Sequence, residues 1–205
     1  MAPAGIAFIV DDDESLRAAL DSLFRSVGIE TRQFSSAAEF LGEPHPQGPA
    51  CLVLDVRLPG ANGLDFQDQL IEMGVPIPIV FMTGHADVPM SVRAMKAGAV
   101  DFLAKPFRDQ DMLDAVTSAL ERDRKRQADL SKSDDIRTRF ATLSPREQQV
   151  MTLVAAGKLN KQVAGDLELS EITVKIHRGA AMRKMGAKSL ADLVRMAEVL
   201  GLRAE

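Results

Sequence analysis

The sequence predicts an α/β protein: a doubly wound, five-stranded parallel sheet, followed by a smaller all-α domain of four helices. Three observations carry this. Short apolar runs alternate with periodic, helix-length stretches through the first 120 residues; Ser144-Pro145-Arg146-Glu147 opens a second set of helices; and the charge changes sign between the two regions. Residues 1–120 carry 8 Lys and Arg against 17 Asp and Glu, residues 121–140 carry 7 against 5, and residues 141–205 carry 10 against 7. An acidic module joined to a basic one suits a chain whose second part approaches an anion such as nucleic acid, although so small a positive excess only permits this.

The strand candidates are IAFIV (6–10), GIETRQF (28–34), ACLVLD (50–55), PIVFMT (78–83) and AVDFLA (99–104), each a short apolar or β-branched run. Helical stretches begin near Ser15, Ser36, Asn62, Asp87 and Asp109, and Ser36 with Glu39 has capping-box spacing. Parallel strands need helical crossovers, and right-handed crossovers give a sheet covered on both faces, here ordered 2-1-3-4-5, with ligands beyond the carboxyl ends of the strands. This first domain spans 1–120. Residues 121–142, beginning ERDRKRQADLSKSDDIRTR, lack Gly and Pro and read as a linker, helical or flexible; Leu113, Val116, Leu120 and Leu130 follow a rough helical stripe into it. The second domain spans 143–205. Ser144 is an N-cap with proline at the first helical position and Glu147 at the capping-box position. Gly157, the DLELS turn at 166–170 and the GAKS turn at 186–189 divide the remainder, with Ser170 and Ser189 as further caps.

A chain of 205 residues that is 46% hydrophobic and 26% charged buries a real core. Its single cysteine, Cys51, excludes an internal disulfide and reads as a small buried hydrophobe in a reducing compartment. No apolar run approaches the roughly 18 residues of a membrane span, and no secretory leader pattern opens the sequence, so a cytoplasmic protein without membrane contact is expected.

Chemistry-bearing residues gather at the predicted strand ends: Asp11-Asp12-Asp13-Glu14 after the first strand, Asp55 after the third, Lys105-Pro106 after the fifth. Carboxylates from neighbouring loops repel unless a cation neutralises them, and hard oxygen ligands suit Mg²⁺. One carboxylate is left free to attack a phosphoryl group, Lys105 being a point charge for the new phosphate and Thr83 a hydroxyl donor to it. Singly, each feature has a plainer reading: a helix N-terminal cluster, a turn threonine, a solvated lysine. Together the plainer readings do not explain why all of them fall on one side of the sheet.

VDDDES, LVLDVRLPG and MTGHADVPMSVRAMKAGAVDFLAKPF together resemble the receiver domain of a two-component response regulator, especially the FixJ-like branch, over the first 120 or so residues. The resemblance implies a flavodoxin-like fold, Asp55 as phosphoacceptor, and a Mg²⁺ site made by Asp11, Asp12, Asp55 and the backbone carbonyl of Arg57. It also implies that Thr83 and Lys105 sense the phosphate, that Phe102 is the aromatic switch (a core aromatic by the plainer reading), and that the Lys105-Pro106 bond is cis. An aspartyl-phosphate phosphatase is the rival from the enzyme class; such enzymes commonly need a second aspartate two residues after the nucleophile, where this chain has Arg57.

In the second domain, LNKQVAGDLELSEITVKIHRGAAMRKMGAKS reads as helix, tight turn, helix, with Val163, Ala164, Leu167, Leu169 and Val174 as the apolar seam and Lys161, Lys175, Arg178, Arg183, Lys184 and Lys188 supplying charge. A helix of this kind fits the major groove; by charge alone it suits a solvated face or a partner surface equally well. Residues 143 to about 200 resemble the four-helix LuxR-type helix-turn-helix domain. That resemblance implies that Lys175, Ile176 and Gly179 face bases, that Asn160, Lys161, His177 and Lys184 meet the DNA backbone, and that Thr173 and Arg178 lie at the same surface. His177 also reads as a helix-packing residue. Gly179 departs from relatives that carry lysine, offers no side chain, and costs about 1 kcal/mol inside a helix. The final helix, SLADLVRMAEVLGL, presents Leu190, Leu193, Val194 and Met196 beyond what one small core needs, which predicts subunit pairing on a palindromic site.

The expected protein is therefore a response regulator transcription factor and not an enzyme: a sensor histidine kinase phosphorylates Asp55 with Mg²⁺, the chain forms a homodimer, and the helical domain binds promoter DNA with RNA polymerase as a further partner.

Overall fold

The structure is a computed structural model describing residues 5–44, 48–85 and 87–202. It forms two compact units that divide between Gln127 and Ala128, inside the segment expected as a linker.

The first unit alternates strands and helices: β1 (Ile6–Val10), α1 (Glu14–Ser26), β2 (Glu30–Phe34), α2 (Ala37–Leu41), β3 (Ala50–Asp55), β4 (Arg57–Leu58), β5 (Ala61–Asn62), α3 (Gly63–Glu72), β6 (Ile79–Thr83), α4 (Val88–Lys96), β7 (Asp101–Ala104) and α5 (Asp109–Ala141), whose last residues belong to the second unit. The sheet order is β2-β1-β3-β6-β7 with every pairing parallel, the order expected for the five strands. β4 and β5 form an antiparallel hairpin that the sequence reading missed, because two-residue strands carry no readable period.

Side-chain alternation divides the interior into two cores, one on each face of the sheet. Phe8, Val10, Leu52, Leu54, Ile79 and Phe81 point into a core closed by α2, α3 and α4. Their strand neighbours Ala7, Ile9, Cys51, Val53, Val80 and Met82 point into another, closed by α1 and α5. The first holds an edge-to-face set in which the Phe40 ring meets Phe8, Phe34 and Phe66. Cys51 is fully buried, and burial pushes its thiol well up from its ordinary pKa, in keeping with a packing role. The helices start where short polar side chains accept their free N–H groups: Asp13, Ser36, Asn62 and Asp87 are the N-caps of α1 to α4.

One buried charge lies at the opposite end of the sheet from the predicted site. Asp123 of α5 is 1% exposed, accepts the Ala50 N–H at 2.9 Å and Gln127 Nε2 at 2.7 Å, and pairs with Arg126 at 2.6 Å. Gln127 Nε2 also donates to the Gly48 carbonyl at 2.7 Å. The helix is thereby fastened to the first residue of the strand that ends in Asp55. Part of the expected linker thus serves the first unit.

The second unit contains α6 (Pro145–Ala155), α7 (Asn160–Asp166), α8 (Glu171–Met185) and α9 (Leu190–Val199). Ser144 and Glu147 form the expected capping box, Ser170 and Ser189 cap α8 and α9, and Gly186, at φ 71°, gives α8 its left-handed C-cap. The core contains Val163, Ala164 and Val174 with Leu167 and Leu169 packed against it, as the apolar seam predicts. Leu193 is buried in this core and Met196 packs on it, which corrects the expectation that both were surplus to it. They face inward because they share one side of α9 with core residue Ala197; Leu190 remains 40% exposed.

Two stability predictions follow from these contacts. Asp123→Ala leaves the Ala50 N–H and the Arg126 guanidinium without their acceptor, and is expected to destabilise the first unit by about 1–3 kcal/mol in urea unfolding of the full chain; an unchanged midpoint would show that the contact does not hold the helix. In the second unit Lys184 Nζ bonds Glu147 Oε2 at 2.6 Å, and this bond, then the Ser144 N–H, holds the Glu147 carboxyl below its ordinary pKa of 4.5. A depressed carboxylate stabilises the fold above its unfolded pKa and loses that contribution as pH falls through the folded value. Glu147→Gln should therefore melt below the parent near about pH 7, with the gap narrowing as pH falls below the ordinary value of 4.5, as followed by circular dichroism; a gap independent of pH would remove the charge from the account.

Candidate functional site

The site of the first unit is assembled by backbone bonds that align strand ends. The Asp11 N–H donates to Phe34 O at 3.2 Å, Val56 N–H to Met82 O at 3.0 Å, and Lys105 N–H to Thr83 O at 2.8 Å. These bonds bring the ends of β1, β3, β6 and β7 to one edge of the sheet. Asp11 is 0% exposed and Asp55 7% exposed; Asp12 is exposed. Carboxylate oxygens of Asp11, Asp12 and Asp55 all lie within 4.8 Å of one another. Lys105 Nζ reaches Asp11 Oδ2 and Asp55 Oδ2, each at 2.6 Å, and the Lys105-Pro106 bond is cis.

The remaining oxygens are held by backbone donors. The Arg57 N–H donates to Asp55 Oδ1 at 2.9 Å, and the Asp13 N–H donates to Asp11 Oδ1 at 2.9 Å. Arg17 Nη1 donates to the Asp11 carbonyl at 2.7 Å. Thr83 is buried, its Oγ1 accepting the His85 N–H at 3.2 Å. Phe102 is half-buried against Phe81, ring centroids 6.1 Å apart. Arg57, Thr83, Lys105 and the three aspartates thus share the strand-end edge, while Phe102 lies within β7 among the packed aromatics.

Burial pushes the Asp11 carboxyl above its ordinary pKa; hydrogen bonds from Lys105 and the Asp13 N–H oppose this, and the Asp55 charge adds to it. For Lys105, burial alone would lower the ammonium, but the bonds and charges of Asp11 and Asp55 outweigh it and leave it raised. Counted formally, three carboxylates against one ammonium leave an excess of two negative charges, which matches one divalent cation, and hard oxygens suit Mg²⁺.

Sequence reasoning missed Gly63. A Cβ there would lie 2.5 Å from the Asp55 carbonyl oxygen and 3.0 Å from the Val56 Cα, and the Gly63 N–H donates to Val56 O at 2.8 Å. The start of α3 passes so close beneath Asp55 that only glycine fits. The Asn62-Gly63 pair after LVLDVRLPG was the available signal, but an Asn-Gly pair also marks ordinary turns.

In the second unit, α7, a turn and α8 give the expected helix-turn-helix, with Glu168 in the turn at φ 55°. Lys161, Lys175 and Ile176 are exposed; Thr173, His177, Arg178 and Gly179 are half-buried. Arg178 Nη1 donates to Asn160 Oδ1 at 3.2 Å, joining two predicted contacts. Thr173 Oγ1 is 2.8 Å from Ser170 Oγ in the cap. Lys184 is tied to Glu147 and to the Thr142 carbonyl at 3.3 Å, so its ammonium is engaged within the unit. Among the described residues, no helix is long and apolar enough to cross a membrane.

Residues 7–117 match the model of the response regulator receiver domain, and residues 141–197 match that of the bacterial regulatory proteins of the luxR family. Nodulation protein W of Bradyrhizobium diazoefficiens is 59% identical over 199 residues, covering 97% of this chain and 88% of that protein. The transcriptional regulatory protein FixJ of Rhizobium meliloti is 44% identical, covering 92% of this chain and 93% of its own. Among solved structures, the response regulator StyR superposes with a TM-score of 0.83 at 46% identity, over 95% of this chain and 98% of that one. Full-length FixJ from B. japonicum gives 0.59 at 38% identity, over 99% and 100%.

Replacing Gly63 by alanine forces the end of β3 or the start of α3 to move, and Gly63→Ala is expected to cost about 1–3 kcal/mol in urea unfolding. Gly84→Ala, where an added Cβ meets nothing within 4 Å, is the control; equal midpoints for the two variants would show that the approach to Asp55 is not tight.

Proposed function

The chain belongs to the response regulators that join a receiver domain to a LuxR-type helix-turn-helix domain, and we propose that it acts by accepting a phosphoryl group on Asp55 from a sensor histidine kinase. It is a transcription factor, not an enzyme acting on a separate substrate. The observation that carries the proposal is the bridge from Lys105 Nζ to both Asp11 and Asp55, at 2.6 Å each.

In the transfer, an Asp55 carboxylate oxygen forms a bond to phosphorus as the bond from phosphorus to the donor imidazole nitrogen breaks. The Arg57 N–H orients the carboxylate, and Lys105, already beside it, offsets charge on the phosphoryl oxygens. Mg²⁺, when bound by Asp11, Asp12, Asp55 and the Arg57 carbonyl, supplies the remaining positive charge. The three clustered carboxylates and their excess of two negative charges fit that ion.

Phosphorylation adds about 1.5 to 2 negative charges. The Thr83 hydroxyl turns from the His85 N–H towards the new phosphate, Phe102 moves into the space released, and the face formed by α4, β7 and α5 becomes the surface of a homodimer. Two helix-turn-helix units then bind promoter DNA, with Lys175, Ile176 and Gly179 of α8 towards the bases and Asn160, Lys161, His177, Arg178 and Thr173 around them. Lys184 joins them at the DNA backbone by exchanging its Glu147 bond for a phosphate. RNA polymerase is the further partner at the promoter, and the cytoplasm is the place of action.

Incubation with acetyl phosphate and Mg²⁺ is expected to attach one phosphoryl group per chain, seen by intact-protein mass spectrometry, and none to Asp55→Asn. Persistent labelling of that variant would refute the assignment, as would labelling of the parent that survives removal of Mg²⁺ by a chelator.

A further inference from the structure

The outward stripe of α8 is apolar where a nucleic-acid-reading helix would be expected to carry hydrogen-bonding groups. Ile172 is 72% exposed and Ile176 63% exposed, one turn apart, with Gly179 continuing the line one turn further. Neither isoleucine belongs to the core, to which α8 contributes buried Val174, Ala181 and Met185, with Met182 packed against it. The polar groups nearby are largely engaged: the Thr173 hydroxyl is in the Ser170 cap, Arg178 donates to Asn160, and Lys184 is paired with Glu147. Lys175 is exposed and has no ion pair among the described residues. Lys161 and Arg183, also exposed, give the surroundings a positive edge, against Glu171 in the first turn.

Exposed isoleucines inside a cationic rim suit a surface that is anionic at its edges and carries methyl groups between them. In the major groove thymine alone presents a methyl, and apolar side chains read it by contact. Resting on the DNA-binding reading above, we infer that Ile172 and Ile176 are the principal specificity-determining residues of the helix and read thymine methyl groups in A·T-rich half-sites. Four helical residues rise about 6 Å, close to two base-pair steps of about 3.4 Å, so the two methyls belong to pairs one or two steps apart. Gly179, without a side chain, lets the backbone approach the next step. Lys175 is left as the principal hydrogen-bond donor, and marks one guanine beside the thymines.

The test uses the full chain activated with beryllofluoride and Mg²⁺. A preferred duplex is selected from a random library, and each thymine in it is then replaced by deoxyuridine, which removes only the methyl. Two thymines per half-site, no more than two steps apart, are expected to show roughly 3- to 5-fold weaker binding when replaced. Ile172→Ala is expected to abolish the penalty at one of them and Ile176→Ala at the other, whereas Lys161→Ala weakens all sequences alike. Both isoleucines are exposed, so neither truncation opens a cavity, and unchanged melting temperatures check this. Penalties that persist in both isoleucine variants, or a selected site indifferent to deoxyuridine, overturn the inference while leaving DNA binding intact. Failure to enrich any sequence overturns the DNA-binding reading itself.

Discussion

The receiver depends on one electrostatic compromise: Asp11 and Asp55, both buried, are held in one small space by the Lys105 ammonium that touches each at 2.6 Å. Two carboxylates this close would repel strongly without a cation between them. Sheet order supplies the meeting, because β1 and β3 are neighbours and β7 stands one strand beyond β6. Lysine suits the remaining gap, since its four-carbon stem carries a compact charge across the intervening strand end. The close pass of Gly63 beneath the Asp55 carbonyl and the Asp123 anchor at Ala50 then fix the two ends of β3. The Asp55 carboxylate is positioned by backbone on a strand buried throughout its length.

The fold was legible because its signals are local and repeated. Strands buried on both faces leave unbroken runs such as ACLVLD, caps leave Ser, Asp and Asn at fixed offsets from the helices, and crossovers dictate the parallel order. The acids and lysine of the site were legible for the same reason, each lying at a strand end. Gly63 and Asp123 were not, because what makes them necessary is contact with residues distant in sequence or with backbone atoms. Asp123 sits in a run of alternating charges whose members all look solvated on paper; the Ala50 N–H, 73 residues away, makes it a buried acceptor.

The helix-turn-helix unit shows the same limit from the other side. Its seam residues were visible because Val163, Ala164 and Leu167 fall at helical spacing, with Val174 across the turn from them. Leu193 and Met196 looked surplus because residues from α5, Ile136 and Phe140, also pack on this core, and a tally confined to the four helices underestimates its size. α8 is harder to read than its neighbours, since apolar residues occupy both its inner and outer faces and blur the 3.6-residue period.

Both sites are places where a rule of stable folding is broken. Carboxylates are buried together in the receiver, and isoleucines are left in water on α8, although serine or glutamine at Ile172 and Ile176 would leave the core untouched. Each breach has the form of an unfinished contact: an excess of negative charge complementary to a divalent cation, and apolar side chains in a cationic rim complementary to methyl groups between phosphates. A chain selected for stability alone would remove both. That they occur in separate compact units, each with its own core, means either breach is carried by a scaffold able to fold around it.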